Sequence, residues 1–147
     1  MANIKFHDFL IIGGGPTGSS AAIYLRRKGY SVLILEREKF PRQHVGESLL
    51  PFCYPLFQEL GVLETMKKRF VRKPGARFTN HDGSKSSTWC FRNIIKDDSY
   101  LSFHVVRADF DKMLLDKARE EGAEVMEETK VESVDLNRSD DRVEVKA

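Results

Sequence analysis

The chain has 147 residues and a mass of 16.9 kDa, with 24 Lys+Arg against 22 Asp+Glu and a net charge of +2. That length suits one domain with a real core, and the near balance of charge gives no global reason to expect nucleic acid or an anionic membrane as partner. A hydrophobic content of 41% excludes a disordered chain, and the longest apolar run, Leu49 to Phe57, holds two prolines and is too short to span a membrane. The apolar stretch before Gly13 is too short for a signal-peptide core. Cys53 and Cys90 match no metal or redox spacing, so a cytoplasmic, metal-free domain with reduced thiols is expected.

Phe6 to Ile12 is largely apolar and runs into Gly13-Gly14-Gly15, as a buried strand ending at a tight turn does. Pro16 to Lys28 turns helical, with Ala21, Ala22 and Leu25 on one face and Gly29 as its stop. Ser31 to Leu35 is a second apolar strand ending at Glu36, which completes a βαβ unit. Glu36 to Gly46 reads as a polar loop. Ser48 to Leu60 carries Leu49, Phe52, Leu56 and Leu60 at helical spacing, which predicts a helix with Pro51 in its first turn and a kink at Pro55.

Gly75 to Phe91 predicts a β-hairpin turning at His81-Asp82-Gly83-Ser84, and Phe103 to Val106 a further strand. Ala108 to Glu121 is amphipathic, with Phe110, Met113, Leu114 and Ala118 on one side of a helix. The alternation of Val131, Val134 and Leu136, a turn at Ser139-Asp140-Asp141, and then Val143 and Val145 predict a last hairpin. The sequence stops inside that hairpin at Val145-Lys146-Ala147, from which a larger parent protein is expected.

Gly13, Gly15 and Gly18 form G-x-G-x-x-G directly after a strand and at the start of a helix, and Glu36 follows 18 positions beyond Gly18. That context is the dinucleotide fingerprint. Gly13 permits the tight turn, Gly15 lets the backbone approach a pyrophosphate, and Gly18 lets helix and strand pack closely. The helix start turns N–H groups and its positive dipole end toward phosphate, and Glu36 accepts hydrogen bonds from a ribose while repelling a 2′-phosphate. NAD and FAD share these features.

The next segments are more particular. Glu36-Arg37-Glu38, Phe40-Pro41-Arg42 and Val45-Gly46-Glu47-Ser48-Leu49-Leu50-Pro51 follow the Gly-Gly-Gly-Pro-x-Gly loop, and Val106-Arg107-Ala108-Asp109-Phe110-Asp111 opens the later helix. In these the chain resembles the FAD-dependent monooxygenase superfamily, nearest its flavin-dependent halogenase and geranylgeranyl-reductase-like branches. The resemblance implies an α/β fold: a Rossmann-like FAD-binding βαβ unit interrupted by the start of a β-rich substrate region. Residues 1–73 and 105–147 would be the FAD-binding part and 74–104 the beginning of the insertion.

By the same resemblance FAD is the cofactor. Gly13, Gly15, Pro16, Thr17 and Gly18 lie at its pyrophosphate, Glu36 and Arg37 at the adenosine ribose, Arg42 on the adenosine side, Ser48 near the flavin, and Arg107 at the cofactor from its helix start. On residue type alone, Arg42 and Arg107 read equally as surface charges and Ser48 as a helix N-cap.

Lys67, Lys68, Arg69, Arg72 and Lys73 make a basic cluster without interleaved stacking aromatics, which reads as a solvated helix end rather than a nucleic-acid patch. Lys73 stands apart, because Lys73-Pro74-Gly75-Ala76-Arg77-Phe78 resembles the segment carrying the active-site lysine of flavin-dependent halogenases. There reduced FAD, O₂ and halide supply hypohalous acid, to which a lysine amine donates a hydrogen bond or from which it captures halogen.

The halogenase Trp-x-Trp-x-Ile-Pro motif is missing, Trp89 being the single tryptophan, and so is the family's later Gly-Asp segment. His7, His44, His81 and His104 are scattered and none reads as a general base. The implied activity is halogenation or hydroxylation of a small aromatic substrate, with a separate flavin reductase supplying reduced FAD. The rivals are a geranylgeranyl-reductase-like enzyme and a non-catalytic nucleotide-binding fragment.

Overall fold

The computed structural model describes residues 5–136 and 142–147, so the expected turn at Ser139-Asp140-Asp141 lies outside the described residues. The first half of the chain holds β1 (Phe9–Ile12), α1 (Pro16–Arg27), β2 (Val32–Leu35), α2 (Tyr54–Glu59), α3 (Leu63–Arg69) and β3 (Val71–Lys73). The second half holds β4 (Gly75–Thr79), β5 (Ser86–Cys90), β6 (Ser102–His104), α4 (Arg107–Glu120), β7 (Glu124–Met126), β8 (Ser133–Asp135) and β9 (Glu144–Lys146). These elements form two compact units, residues 1–44 with 108–147 and residues 45–107.

In the first unit β1 and β2 pair in parallel from Phe9↔Val32 to Ile12↔Leu35, with α1 between them in sequence, so the βαβ reading holds. A third parallel strand, β7, flanks β2 from Leu33↔Glu124 to Leu35↔Met126 and was not predicted. Every residue of β2 is buried because it has a neighbour on both sides. The expected burial of the first strand is corrected. Phe9, Leu10 and Ile12 are 40%, 37% and 57% exposed, because β1 is the edge strand of this three-stranded sheet.

Helix α4 starts one residue before its predicted range and buries Phe110, Met113, Leu114, Leu115 and Ala118, along with the charged Asp111. Its end is fastened to α1. Glu121 accepts a hydrogen bond from Arg27 Nη2 at 2.7 Å, and its backbone carbonyl accepts one from Arg26 Nε at 3.3 Å. The two strands of the predicted final hairpin form as β8 and β9, paired antiparallel from Ser133↔Lys146 to Asp135↔Glu144.

In the second unit the single helix expected over Ser48–Leu60 is corrected. Ser48 forms a β-bridge with His104, the Leu49 amide donates to the Phe103 carbonyl at 3.0 Å, and the Val105 amide donates to the Glu47 carbonyl at 2.8 Å. Ser48 therefore sits on extended backbone and caps no helix. The cause is Pro51, which forces Leu50 out of the helical region (φ −102, ψ 155), so helical turns begin only at Pro51–Cys53 and continue as α2.

The core of this unit gathers around Phe103, which is fully buried, stacks on Tyr54 at 6.5 Å and meets Phe57 edge-on at 6.3 Å. The predicted hairpin forms as β4 and β5, registered from Gly75↔Cys90 to Thr79↔Ser86, with Gly83 at φ +76 in its turn. The basic cluster is split between two elements. Lys67, Lys68 and Arg69 occupy the last turn of α3, while Arg72 and Lys73 lie on β3, where Arg72 donates to the Leu101 carbonyl at 3.0 Å.

Candidate functional site

The glycine loop joins β1 to α1. Gly13 has φ +99 and its amide donates to the Leu35 carbonyl at 2.8 Å, which turns the chain sharply beside the end of β2. A side chain at Gly18 would place its Cβ 2.0 Å from the Gly13 carbonyl oxygen, so only glycine allows the helix this close to the strand end. Gly15 is the N-cap of α1, with Pro16 in the first turn and no side chain capping the helix. The N–H groups of Thr17 and Gly18 therefore have no intrahelical acceptor and point out of the helix start, as an anion site requires.

Glu36 follows β2 and is 4% exposed. Its Oε2 accepts the Gly14 amide at 2.7 Å and its Oε1 accepts the Glu38 amide at 2.9 Å. A carboxylate has about four acceptor positions, so two remain for a ligand hydroxyl. Arg42 is largely buried beside it. The guanidinium lies 4.0 Å from Glu36 Oε2, 3.6 Å from Glu38 and 3.7 Å from Asp111, and 4.7 Å above the Phe40 ring. Arg37 points outward, 3.4 Å from Glu38.

These groups border a cleft of about 580 Å³ within the first unit, lined by Gly13, Glu36, Arg37, Arg42, Gln43 and His44 and by the apolar Ile12, Leu35 and Val131. Its size falls in the range of small-molecule sites. The lining fits the adenosine end of a dinucleotide, with a buried carboxylate for ribose hydroxyls and apolar side chains for a base; the start of α1, suited to phosphate, follows Gly13 outside this lining. Thr129, Lys130 and Val131 also line it, and sequence reasoning missed them as site residues because their segment carries no motif. The Thr129 amide donates to the Glu36 carbonyl at 2.9 Å, which ties that segment to the cleft.

The remaining predicted residues lie in the second unit. Ser48 is exposed on its bridge to His104. Arg107 Nη1 donates to the Val45 carbonyl at 2.5 Å, and lies where a Cβ on Gly46 would come within 3.0 Å. Beside them, the Glu47 carboxyl is held below the usual carboxylate range by the Glu47 and Gly46 amides, with smaller help from His104 and Arg107. Lys73 is half-buried opposite Ser102 in the β3–β6 register, its Nζ 5.2 Å from the Phe91 ring centroid. Among the described residues no group of His, Cys, Asp or Glu is arranged to hold a metal ion, and no helix is long and apolar enough to cross a membrane.

Comparison with known proteins decides between the two dinucleotides. The FAD binding domain family matches residues 7–147. The chain belongs to the FAD binding domain family. FAD is thus the cofactor its family is defined by, and the donor set of the cleft fits the adenosine end of that molecule.

Curated relatives of this FAD binding domain include the flavin-dependent halogenase armH3 of Armillaria mellea, 41% identical over 128 residues, covering 86% of this chain and 25% of the relative. Another is the 1H-pyrrole-2-carbonyl-[peptidyl-carrier protein] chlorinase of Pseudomonas fluorescens, 36% identical over 88% of this chain and 33% of the relative. Among solved structures, the myxobacterial chondrochloren halogenase CndH matches with a TM-score of 0.80 and 32% identity over 95% of this chain and 35% of that one. A variant of the halogenase PltM in complex with FAD matches with a TM-score of 0.80 and 26% identity, over 97% of this chain and 31% of that one. The chain thus spans a quarter to a third of the length of these relatives. The α/β reading and the halogenase resemblance stand.

Proposed function

We propose that this chain is the FAD-binding N-terminal portion of a flavin-dependent oxidoreductase of the halogenase or monooxygenase type. The observation that carries the reading is the buried Glu36 carboxylate, held by the Gly14 amide at the edge of the cleft, in a chain whose relatives are flavin-dependent halogenases. Bound FAD would supply the redox chemistry. The protein would supply orientation: Gly13, Gly15, Pro16, Thr17 and Gly18 at the pyrophosphate, Glu36 and Arg37 at the ribose, and Arg42 on the adenosine side. Ser48 and Arg107 are proposed to meet the cofactor further along. Residues 1–73 and 105–147 would make the FAD-binding part and 74–104 the start of a β-rich substrate region.

Lys73 is the proposed catalytic residue. A half-buried amine near an aromatic ring suits hydrogen-bond donation to an oxidised halide. The substrate class is a small aromatic molecule, and a flavin reductase would deliver reduced FAD. Two free thiols, one of them exposed at Cys90, suit a reducing compartment and support a cytoplasmic location.

The test is an absorbance spectrum of the purified chain, then denaturation and identification of released cofactor, before and after incubation with FAD. Released FAD supports the reading. Absence of flavin in both cases, with saturable binding in an NAD titration, overturns it. In any preparation that halogenates, Lys73→Ala is expected to abolish halogenation and spare flavin binding; halogenation retained by that variant removes the lysine from the mechanism.

A further inference from the structure

We propose that Asp111 is a positioning residue for the dinucleotide site, fixing the Arg42 guanidinium beside the glycine loop before the ligand arrives. The inference rests on the FAD reading of the cleft but concerns a residue that makes no contact with the ligand in that reading. Asp111 lies on α4 among Phe110, Met113, Leu114 and Leu115 and is completely buried. A carboxylate at such a place is costly, and a leucine of similar reach would serve packing better. Its Oδ2 lies 3.7 Å from Arg42 Nη1.

The position of the guanidinium explains the need. Arg42 Nη2 lies 3.4 Å from where a Cβ on Gly15 would stand, at the start of α1 where phosphate is expected. Arg42 hangs from a loop without regular structure, and a long side chain there has many rotamers to lose on binding. Its other carboxylate neighbours are Glu36, which already accepts the Gly14 and Glu38 amides and faces the cleft, and Glu38, which is exposed to water. Asp111 alone among the three comes from a helix on the core side. The guanidinium is held by charge: Nη1 lies 3.7 Å from Asp111, and the buried Nε lies 3.6 Å from Glu38 without a hydrogen bond, which leaves Nη2 toward the start of α1. A guanidinium held by charge but not saturated by hydrogen bonds is preorganised to accept an anionic or hydroxyl-bearing ligand.

The test is a double-mutant cycle on the whole chain, with FAD affinity read by fluorescence titration for wild type, Asp111→Asn, Arg42→Gln and the pair. Asp111→Asn is expected to weaken FAD binding about tenfold, and to have no further effect once Arg42 is glutamine. Additive losses in the double variant overturn the proposal, because Asp111 would then act independently of Arg42. Should Asp111→Asn fail to fold, Asp111→Leu is used in its place; a folded leucine variant with wild-type affinity overturns the proposal equally.

A second readout separates this inference from the FAD reading. The buried Arg42 Nε–H of ligand-free wild type is expected to give a shifted, slowly exchanging proton resonance that collapses to the solvent-exposed position in the Asp111 variant. Persistence of that resonance in the variant refutes the positioning role even if FAD binds. Absence of FAD binding in wild type refutes the functional reading while the resonance still reports on the contact.

Discussion

The Glu36 carboxylate accepts the Gly14 amide hydrogen at 2.7 Å, joining two residues 22 positions apart at the ends of β1 and β2. One side chain thereby fixes the glycine loop and borders the cleft in which a ribose is expected. Charge-assisted hydrogen bonds of this type carry roughly 1.5–3 kcal/mol each. Glu36→Gln keeps the shape, drops the charge and turns one acceptor into a donor facing a backbone N–H. The variant is expected to lose roughly that much stability in urea denaturation and at least tenfold in FAD affinity by calorimetry. Unchanged affinity would show that the ribose is held elsewhere.

Gly18→Ala tests the closeness of loop and helix. The added Cβ meets the Gly13 carbonyl oxygen at 2.0 Å, a backbone atom that cannot rotate away. The helix start must shift, at a cost of about 1–3 kcal/mol, and the N–H groups of Thr17 and Gly18 shift with it. A lowered melting temperature together with lost FAD binding is the expected pair of results. A stable variant with wild-type binding contradicts the tight-packing account.

The contact between α1 and α4 predicts an acid sensitivity. Hydrogen bonds from Arg27 and then Lys117 hold the Glu121 carboxyl at about 2, against its ordinary 4.5. A carboxyl whose value is depressed in the folded chain stabilises the fold at neutral pH. That contribution declines as pH falls below about 4.5 and is gone near 2. Urea midpoints of wild type and Glu121→Gln should therefore differ at pH 6 and converge as pH falls toward 2. A gap independent of pH would show that packing, not charge, joins the helices.

In the second unit, Phe103→Ala removes the fully buried ring that Tyr54 and Phe57 enclose and that the Arg72 guanidinium covers at 4.8 Å. A loss of about 3–5 kcal/mol is expected. Denaturation followed by the fluorescence of Trp89, which pairs with Ala76 in the hairpin of the same unit, reads it. A variant as stable as wild type would deny Phe103 its central place in that core.

The sequence made the glycine loop, α1, β2, the β4–β5 hairpin and most of α4 legible, because each has a local cause: a glycine at a forced turn, a helical period, an Asp-Gly turn. β3 and β7 have none. Each is three residues long, too short for a period to show, and becomes a strand only through its partner, β6 or β2. Ser48 misled for a related reason. Its helical spacing of apolar neighbours was real, but Pro51 and the pairing with His104 overrode it. In the candidate site, Gly13, Gly18 and Glu36 are readable from their spacing. Asp111 is not, since an aspartate in an amphipathic helix looks solvent-facing until the fold buries it.

The base of the second unit carries one more consequence. Arg107 reaches back to the Val45 carbonyl, and the Glu47 carbonyl and Leu49 amide bond to Val105 and Phe103, so the segment 45–107 begins and ends at a single stitched seam. The two ends of the segment are thus held together by hydrogen bonds made within the segment itself. The turn at 80–85 can therefore be lengthened, shortened or replaced without touching the seam that joins 45–49 to 103–107.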